Sequence, residues 1–338
     1  MTLMHLIRIK ILLLSIQLKI MEIILKMVKD KLPKIALGAW AWGNDSTFGN
    51  NLSKDELKPI FDTAMDLGLN LWDTAFVYGM GASEKVLGEF VKDINREDCI
   101  LSTKFTPQCA DSSLDNPVTG MLKNSEKLLN TDYIDIFWIH NPVGAPMWSE
   151  KLVETAQENN ITMLGVSNHD LNEIKEANKI LEDGGLKLSC VQNHYSLLNR
   201  SSEDSGILEY CKDNNINFFS YMVLEQGALT GVYNTSNPFP ENSDRGVVYN
   251  PVLKQIEELN NSIEEIANNH DAKIAQIPIA WAIKKGTLPI IGATKVHHVE
   301  DAFEASEIKL TNDDVKYMEE LADKAQINTV RIWEKEMK

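Results

Sequence analysis

Four polar residues follow strand-like apolar runs and are of types that could do chemistry together: Asp73, Tyr78, Lys104 and His140. A tyrosine is a poor acid near neutral pH because its pKa is about 10. An ammonium group close to the phenol oxygen lowers that pKa. We therefore expect Lys104 to activate Tyr78 as a general acid, and Asp73 to hold Lys104 charged and oriented.

His140 would complete this arrangement by donating a hydrogen bond to the oxygen that Tyr78 protonates. Such a set suits reduction of a carbonyl group if a hydride source lies opposite. The sequence contains no nucleophile elbow and no H-E-x-x-H spacing, so it gives no indication of hydrolysis. The adjacent His297 and His298 point apart on a helix, and we expect no metal site there.

Polar residues end the later apolar runs as well. Ser167 and Asn168 close one run, Gln192 closes the next, and Tyr221 and Gly292 close two more. One such ending is an ordinary turn signal. A succession of them predicts residues that converge on one rim of a sheet.

The elements that must position these residues alternate along the chain. Strand-like runs are predicted at 34–40, 69–73, 100–105, 134–140, 161–168, 189–193, 216–221 and 288–293. Helical spacing occurs at 54–68, 82–92, 117–129, 149–159, 170–183, 205–213, 251–269, 272–285 and 297–306. Ser53 and Ser149 are the expected caps of two of these helices. An irregular loop is predicted from 222 to about 250, and a tail after the last helix.

Eight β-to-α units in one chain predict a closed (β/α)8 TIM barrel, in which helices cover the parallel strands and the site lies at their carboxyl ends. The competing fold is an open doubly wound sheet. That fold carries G-x-G-x-x-G after its first strand, whereas this chain has "LGAWAWGND". We expect one domain over residues 32–338.

Composition limits the class of partner. The chain of 338 residues has a net charge of −16, so its surface would repel a nucleic-acid backbone. Its four cysteines form no C-x-x-C pair, which is typical of reduced thiols in a cytoplasmic protein. No membrane partner is expected.

Residues 1–31 differ from the rest, since six basic and two acidic residues give them a charge of +4. Their apolar stretch "ILLLSI" is too short to span a bilayer. We expect an extension outside the barrel, with Met21 or Met27 as the true start. A weak signal or transit segment and an amphipathic surface helix are the alternatives.

The chain also contains motifs that resemble those of the aldo-keto reductase superfamily. The resemblance runs in order from about residue 34 to residue 310. The motifs are "WDTAFVYG" at 72–79, "STKF" at 102–105, "IDIFWIHNP" at 134–142, "GVSN" at 165–168, "VQNHYSLLNR" at 191–200 and "IIGATK" at 290–295.

This resemblance implies a reductase of aldehydes and ketones that uses NADPH, with NADH as the alternative. It implies that Asp73, Tyr78, Lys104 and His140 are the catalytic tetrad. It also implies cofactor roles. Ser167, Asn168 and Gln192 would bind the nicotinamide amide, Tyr221 would stack on the ring, Lys295 would bind the 2′-phosphate, and Gly292, Ala293, Thr294 and His298 would lie along the cofactor.

Two departures from the family pattern concern the cofactor. After the seventh strand the chain has "YMVLEQGALTG" where the family often has Tyr-Ser-Pro-Leu, which affects the expected pyrophosphate contacts. Ala302 stands where the family often has an asparagine near the adenine. Trp40, Trp42 and Trp148 follow strands one and four, and we expect them to line the substrate pocket or to pack in the core.

Two other functions remain open at this point. One is a nucleotide-binding regulatory barrel that resembles potassium-channel β subunits, which keep the same tetrad. The other is a lyase or isomerase without nicotinamide. The expected partner is a small-molecule carbonyl substrate, and the expected state is a monomer or a small homo-oligomer.

Overall fold

The structure is a computed structural model, and it describes residues 32–45, 47–49, 51–328, 331, 334, 335 and 337. The expectations for residues 1–31 lie outside the described residues. Contacts group Lys34–Lys338 into one compact unit. Within the described part of the chain, no helix is both long and apolar enough to cross a membrane.

Eight parallel strands pair in sequence order, and the eighth pairs with the first, so the sheet is a closed barrel. At the closure Gly38 lies between Asp73 on one side and Gly292 on the other. The predicted (β/α)8 barrel is confirmed, and the open sheet is excluded. The strands are β1 Ala36–Gly38, β2 Leu71–Asp73, β3 Ile100–Phe105, β4 Ile134–Ile139, β5 Ile161–Ser167, β6 Leu188–His194, β7 Asn217–Tyr221 and β8 Leu288–Gly292.

Helices surround the barrel. Ser53, Asp170 and Thr311 each begin one of them with a capping box, which satisfies backbone N–H groups that the helix cannot pair. The α-helices are α1 Lys54–Asp66, α2 Ala82–Val91, α3 Pro117–Leu128, α4 Met147–Glu158, α5 Leu171–Asp183, α6 Ser201–Asp204, α7 Ile207–Asp213, α8 Asp244–Tyr249, α9 Leu253–Asn269, α10 Gln276–Lys284, α11 Val296–Ala305 and α12 Asn312–Ala325.

The strands are apolar because both of their faces are covered. On the outside, Trp72 of β2 stacks on Phe61 of α1 with ring centroids 5.4 Å apart. On the inside, the ring of Trp138 fills the barrel and its indole N–H donates to Ser102 at 2.7 Å. That ring lies where a side chain at Gly165 would project, so glycine is needed at this point of β5.

Three expectations for the helices were wrong. The C-terminal tail contains α12, because Met318 and Ala322 bury one face of a helix that Thr311 caps. The loop after β7 contains the short helix α8. Helix α4 begins at Met147, so Ser149 is a buried residue of its first turn and not its cap.

Candidate active site

A buried ion pair joins the carboxyl ends of β2 and β3. The ammonium of Lys104 donates to Asp73 Oδ2 at 2.5 Å and to the carbonyl oxygen of Thr74 at 2.8 Å. Asp73 Oδ1 accepts from Ser102 Oγ at 2.7 Å and from Gln192 Nε2 at 3.2 Å. Burial alone would lower the pKa of Lys104, but Asp73 and Tyr78 hold that pKa above its ordinary value, so the ammonium stays charged.

Tyr78 lies beside this pair in the loop after β2. Its hydroxyl oxygen is 3.3 Å from Lys104 Nζ and accepts a hydrogen bond from it. Lys104 lowers the pKa of Tyr78, as expected, but the net shift is in the other direction, and the pKa lies above its ordinary value. Removal from water disfavours the phenolate and outweighs Lys104, and the carboxylates of Asp73 and Asp45 act in the same direction as burial. Tyr78 is therefore protonated at neutral pH, as a proton donor must be.

His140 follows β4 directly and completes the group, which we call the catalytic cluster after the role that the sequence predicts for it: Asp73, Tyr78, Lys104 and His140. Its ring meets the ring of Tyr78 edge-on, with centroids 5.8 Å apart. Burial and the nearby Lys104 ammonium hold the pKa of His140 well below its usual range, so the imidazole is neutral. Because Nδ1 lies 2.9 Å from the hydroxyl of Thr106, Nε2 is the atom left to face a substrate.

Two glycines fix the backbone that carries Tyr78. Gly43, after β1, and Gly79, after β2, meet with their backbones in contact. A Cβ atom at Gly43 would lie only 2.7 Å from the carbonyl carbon of Tyr78, and one at Gly79 would overlap the carbonyl of Gly43. Gly79 also has a φ of 62°, which favours glycine. The loops after β1 and β2 are thus in direct contact at the backbone of Tyr78.

The residues expected around the nicotinamide lie at the ends of β5, β6 and β7. Asn168 has a φ of 62°, and its Nδ2 donates to the backbone carbonyl oxygen of His140 at 2.9 Å and to Ser167 Oγ at 3.1 Å. Its Oδ1 accepts from the hydroxyl of Tyr221 at 2.6 Å. Gln192 reaches Asp73, so the structure brings these residues up to the catalytic cluster.

The residues expected at the adenosine end follow β8. Lys295 precedes α11 with no side-chain cap, and in the first turn the backbone N–H of His298 donates to the carbonyl oxygen of Lys295 at 3.1 Å. Ala293 is buried, and Gly292 is exposed with no atom within 4 Å of where a Cβ would be. The backbone N–H of Thr294 donates to His298 Nδ1 at 3.3 Å. Burial, with help from His297 and Lys295, lowers the pKa of His298 to about 4, so this imidazole is neutral.

The three tryptophans divide between pocket and core. Trp40 stacks on Tyr78 at 5.5 Å and donates its indole N–H to Asp45 at 2.8 Å, so it walls the space in front of the phenol. Trp148 is half-buried against Phe105 after β4. Trp42 does not line the pocket and takes the other place expected for it, the core: it is fully buried, and its indole N–H donates to the carbonyl of Ala293 at 2.8 Å.

A second group of buried charges lies at the same rim, and the sequence had not predicted it. We call His194, Glu225 and Glu334 the support cluster. His194 lies 2.8 Å from Glu225 through Nε2 and 3.0 Å from Glu334 through Nδ1. Glu225 also accepts from Ser196 and from the hydroxyl of Tyr249.

The contacts within the support cluster shift the pKa values of His194 and Glu225. Burial alone would lower the pKa of His194, but Glu225 and Glu334 outweigh it and raise that pKa to about 10. Burial alone would raise the pKa of Glu225, but His194, Ser196 and Tyr249 bring it below its ordinary value. Glu225, a lone acid in the apolar run "MVLEQGAL", was the one sequence signal of this cluster.

Comparison with known proteins agrees with this geometry. The aldo/keto reductase family matches residues 34–323. Chloroplastic pyridoxal reductase from Arabidopsis thaliana is 30% identical over 87% of this chain and 84% of that protein. Aldo-keto reductase yakc of Schizosaccharomyces pombe, whose name specifies NADP(+), is 30% identical over 89% and 92%. A crystal structure of the thermostable aldo-keto reductase Tm1743 with the inhibitor epalrestat has a TM-score of 0.70 and 29% identity over 86% and 95%.

The barrel and these relatives define an NAD(P)H-dependent oxidoreductase. The chain belongs to the aldo/keto reductase family. This excludes the lyase or isomerase without nicotinamide. The two curated relatives carry the names of reductases, which favours an enzyme over a barrel with only a regulatory role.

Proposed function

We propose that this protein reduces an aldehyde or ketone to an alcohol with NADPH, and that Tyr78 supplies the proton. The observation that carries this proposal is the contact of the Tyr78 hydroxyl with a buried, charged Lys104, with His140 beside it. No other tyrosine among the described residues accepts a hydrogen bond from an ammonium group at this rim.

NADPH, when bound, supplies a hydride from its nicotinamide ring. As the carbonyl oxygen gains negative charge, Tyr78 gives it the phenol proton and the product leaves as an alcohol. The neutral imidazole of His140 donates a hydrogen bond from Nε2 to the same oxygen and fixes its position. Lys104 stabilises the phenolate that remains until water returns the proton.

The residues present fit the cofactor. Asn168, Ser167 and Gln192 offer amide and hydroxyl groups next to the catalytic cluster, and Tyr221 offers a partly exposed ring. At the other end, the N-terminus of α11, which no side chain caps, and the exposed ammonium of Lys295 suit a phosphate group. Asp301, which would oppose that phosphate, is paired with Lys273. The name of the yakc relative gives NADP(+) as its cofactor, in agreement.

A substrate panel tests the proposed function directly. Aldehydes, ketones and sugars are each offered with NADPH, and the consumption of NADPH and the formation of the alcohol are both followed. Turnover of at least one carbonyl compound by the wild-type protein, lost in Tyr78→Phe, is the expected result. NADPH binding without any turnover across the panel would favour the regulatory alternative.

We predict that Lys295 sets the preference for NADPH over NADH. A charge-assisted hydrogen bond is worth about 1.5–3 kcal/mol, so Lys295→Ala should weaken NADPH binding by roughly 10–150-fold. NADH, which lacks the 2′-phosphate, should bind almost as before. Fluorescence titration of both cofactors at fixed salt measures this. Equal loss of both would mean that Lys295 serves the fold or the pyrophosphate instead. Lys316→Ala, on exposed α12, is the matched control.

A cytoplasmic location and a monomeric or small homo-oligomeric state remain predictions. The Arabidopsis relative is named as chloroplastic, so relatives of this chain differ in location.

A further inference from the structure

The C-terminal segment reaches the rim of the barrel through four described residues. Lys335 pairs with Asp170 and Glu173 at 2.6 and 2.7 Å. Arg331 donates to Gln226 at 2.7 Å, and Met337 is buried in the main core. The fourth residue, Glu334, has a side chain that is only 2% exposed. These four residues are therefore part of the edge of the barrel.

Glu334 and Glu225 together hold His194 at both of its ring nitrogens. Nε2 faces Glu225 at 2.8 Å and Nδ1 faces Glu334 at 3.0 Å. An imidazole whose two nitrogens both face carboxylates is fixed in rotation as well as in charge. Glu334 is itself oriented, because it also accepts from the backbone N–H of Arg331 at 2.9 Å.

The fixed ring of His194 lies against Tyr221. The two rings are stacked, with centroids 5.6 Å apart and planes inclined by 30°. The hydroxyl of Tyr221 is held as well, since it lies 2.6 Å from Asn168 Oδ1 and 3.4 Å from Glu334 Oε1. His194 thus covers one face of the Tyr221 ring, and Asn168 and Glu334 fix its polar end.

We propose that His194 and Glu334 are positioning residues for Tyr221, so that the C-terminal segment is a working part of the nicotinamide site. The proposal rests on the proposed function, in which the ring of Tyr221 stacks on the nicotinamide. Stacking requires a particular angle and distance between the Tyr221 ring and the nicotinamide ring. Residues that contact the opposite face of Tyr221 and its hydroxyl fix both quantities. Neither His194 nor Glu334 needs to touch the cofactor for this.

The first experiment measures NADPH affinity by fluorescence titration of the full-length protein. Glu334→Ala frees Nδ1 of His194 and removes one contact of Tyr221, and we expect NADPH to bind about 3–10-fold more weakly, the value of one hydrogen bond. The matched control is Glu320→Ala, which removes an exposed carboxylate from α12 and should leave the affinity unchanged. An unchanged affinity in Glu334→Ala, or tighter binding, would overturn the proposal, and tighter binding would show that the segment obstructs the cofactor.

A double-mutant cycle separates positioning from a merely structural role. Tyr221→Ala should weaken NADPH by roughly 5–150-fold, the range for loss of a stacked ring. If Glu334 acts through Tyr221, adding Glu334→Ala to Tyr221→Ala should cost no further affinity. An equal loss in both backgrounds would show that Glu334 acts elsewhere, and the proposal would fall.

One further readout needs no turnover. The ring protons of His194 in NMR spectra should titrate near pH 10 in the wild type and at lower pH in Glu334→Ala, whether or not cofactor is present. Titration of the wild-type ring near its ordinary value would overturn the proposal. A wild-type protein that binds no NADPH would overturn the proposed function and this inference together. A protein that binds NADPH and is indifferent to Glu334 would overturn only the inference.

Discussion

Two clusters of buried charge lie at one rim of the barrel, and the tyrosines beside them are used in opposite ways. In the catalytic cluster, the hydroxyl of Tyr78 accepts a hydrogen bond from Lys104, and within the described residues that is the only hydrogen bond of its side chain. Beside the support cluster, Tyr249 donates to Glu225 at 2.8 Å, and Tyr221 donates to Asn168. The hydroxyl proton of Tyr78 is therefore available to a substrate, whereas the hydroxyl protons of Tyr249 and Tyr221 are engaged in hydrogen bonds to protein acceptors.

The difference teaches what decides whether a buried tyrosine is an acid or an anchor. Burial raises the pKa of all three phenols. Beside Tyr78 the strongest charge effect is that of the Lys104 ammonium, which acts against burial. At Tyr221 and Tyr249 the strongest charge effects are those of Glu334 and Glu225, which act with burial, and at Tyr249 the guanidinium of Arg331 opposes them more weakly. The sign of the nearest charge, rather than the depth of burial, therefore assigns the role.

The largest effect should come from the phenol of the catalytic cluster. Tyr78→Phe removes the proton and little else, and general acid assistance is worth about 10²–10⁴-fold, so turnover should fall by that factor. NADPH affinity and the free energy of unfolding should change little. Steady-state kinetics and a cofactor titration check this. Near-full turnover in the variant would remove Tyr78 from the mechanism and erase the contrast between the clusters.

The support cluster should appear in the pH dependence of stability. The folded pKa of His194, about 10, lies above its ordinary value of 6.5. The stabilisation from protonated His194 is therefore complete below about pH 6.5 and is lost as the pH rises towards 10. The free energy of unfolding of the wild type, minus that of His194→Gln, should shrink by up to about 4 kcal/mol over this range. Urea unfolding at several pH values measures it, and a constant difference would contradict it.

A smaller effect is expected from the anchoring phenol. Tyr249→Phe removes a donor from the buried carboxylate of Glu225, which should lower the free energy of unfolding by about 1.5–3 kcal/mol. Turnover per folded molecule should stay close to that of the wild type. The matched control is Tyr317→Phe, because Tyr317 is 42% exposed on α12. A variant with wild-type stability and impaired turnover would reverse the roles assigned to the two tyrosines.

The smallest effect concerns coupling within the catalytic cluster. Asp73 and Lys104 should act on Tyr78 as a unit. The double variant with Lys104→Met and Asp73→Asn should therefore raise the activation free energy by less than the sum of the increases in the two single variants. We expect the shortfall in activation free energy to be about 0.5–3 kcal/mol. The kinetics of the two single variants and the double variant give this quantity. Additive losses would mean that the pair does not work as a unit.

The catalytic cluster could be predicted from the sequence because each member stands at or just after a strand end. Asp73, Lys104 and His140 end runs that are otherwise apolar, and eight parallel strands bring such ends to one rim. The direction of the Tyr78 pKa shift was not readable in the same way. That direction depends on how deeply the hydroxyl is buried in the folded protein, which a local sequence pattern does not indicate.

The support cluster could not be predicted from the sequence, for a different reason. His194 meets Glu225 across 31 positions of sequence and Glu334 across 140. One of these partners lies in a loop and the other in the C-terminal segment, so neither is placed by a strand end. Helix α12, by contrast, was missed although the sequence contains its signal: Thr311 followed by Asp314, with Met318 and Ala322 on one face, is a capped amphipathic pattern.

The contact between Gly43 and Gly79 has a consequence for attempts to redesign this enzyme. Each loop is shaped by the other, and Tyr78 is carried on the contact between them. A library that randomises the loop after β1 to accept new substrates will lose activity wherever it places a side chain at position 43, however suitable the rest of the loop. Loops taken from a relative should be transplanted as the pair 39–53 and 74–81. A single transplanted loop would face the other loop of this protein, whose backbone it was not selected to contact.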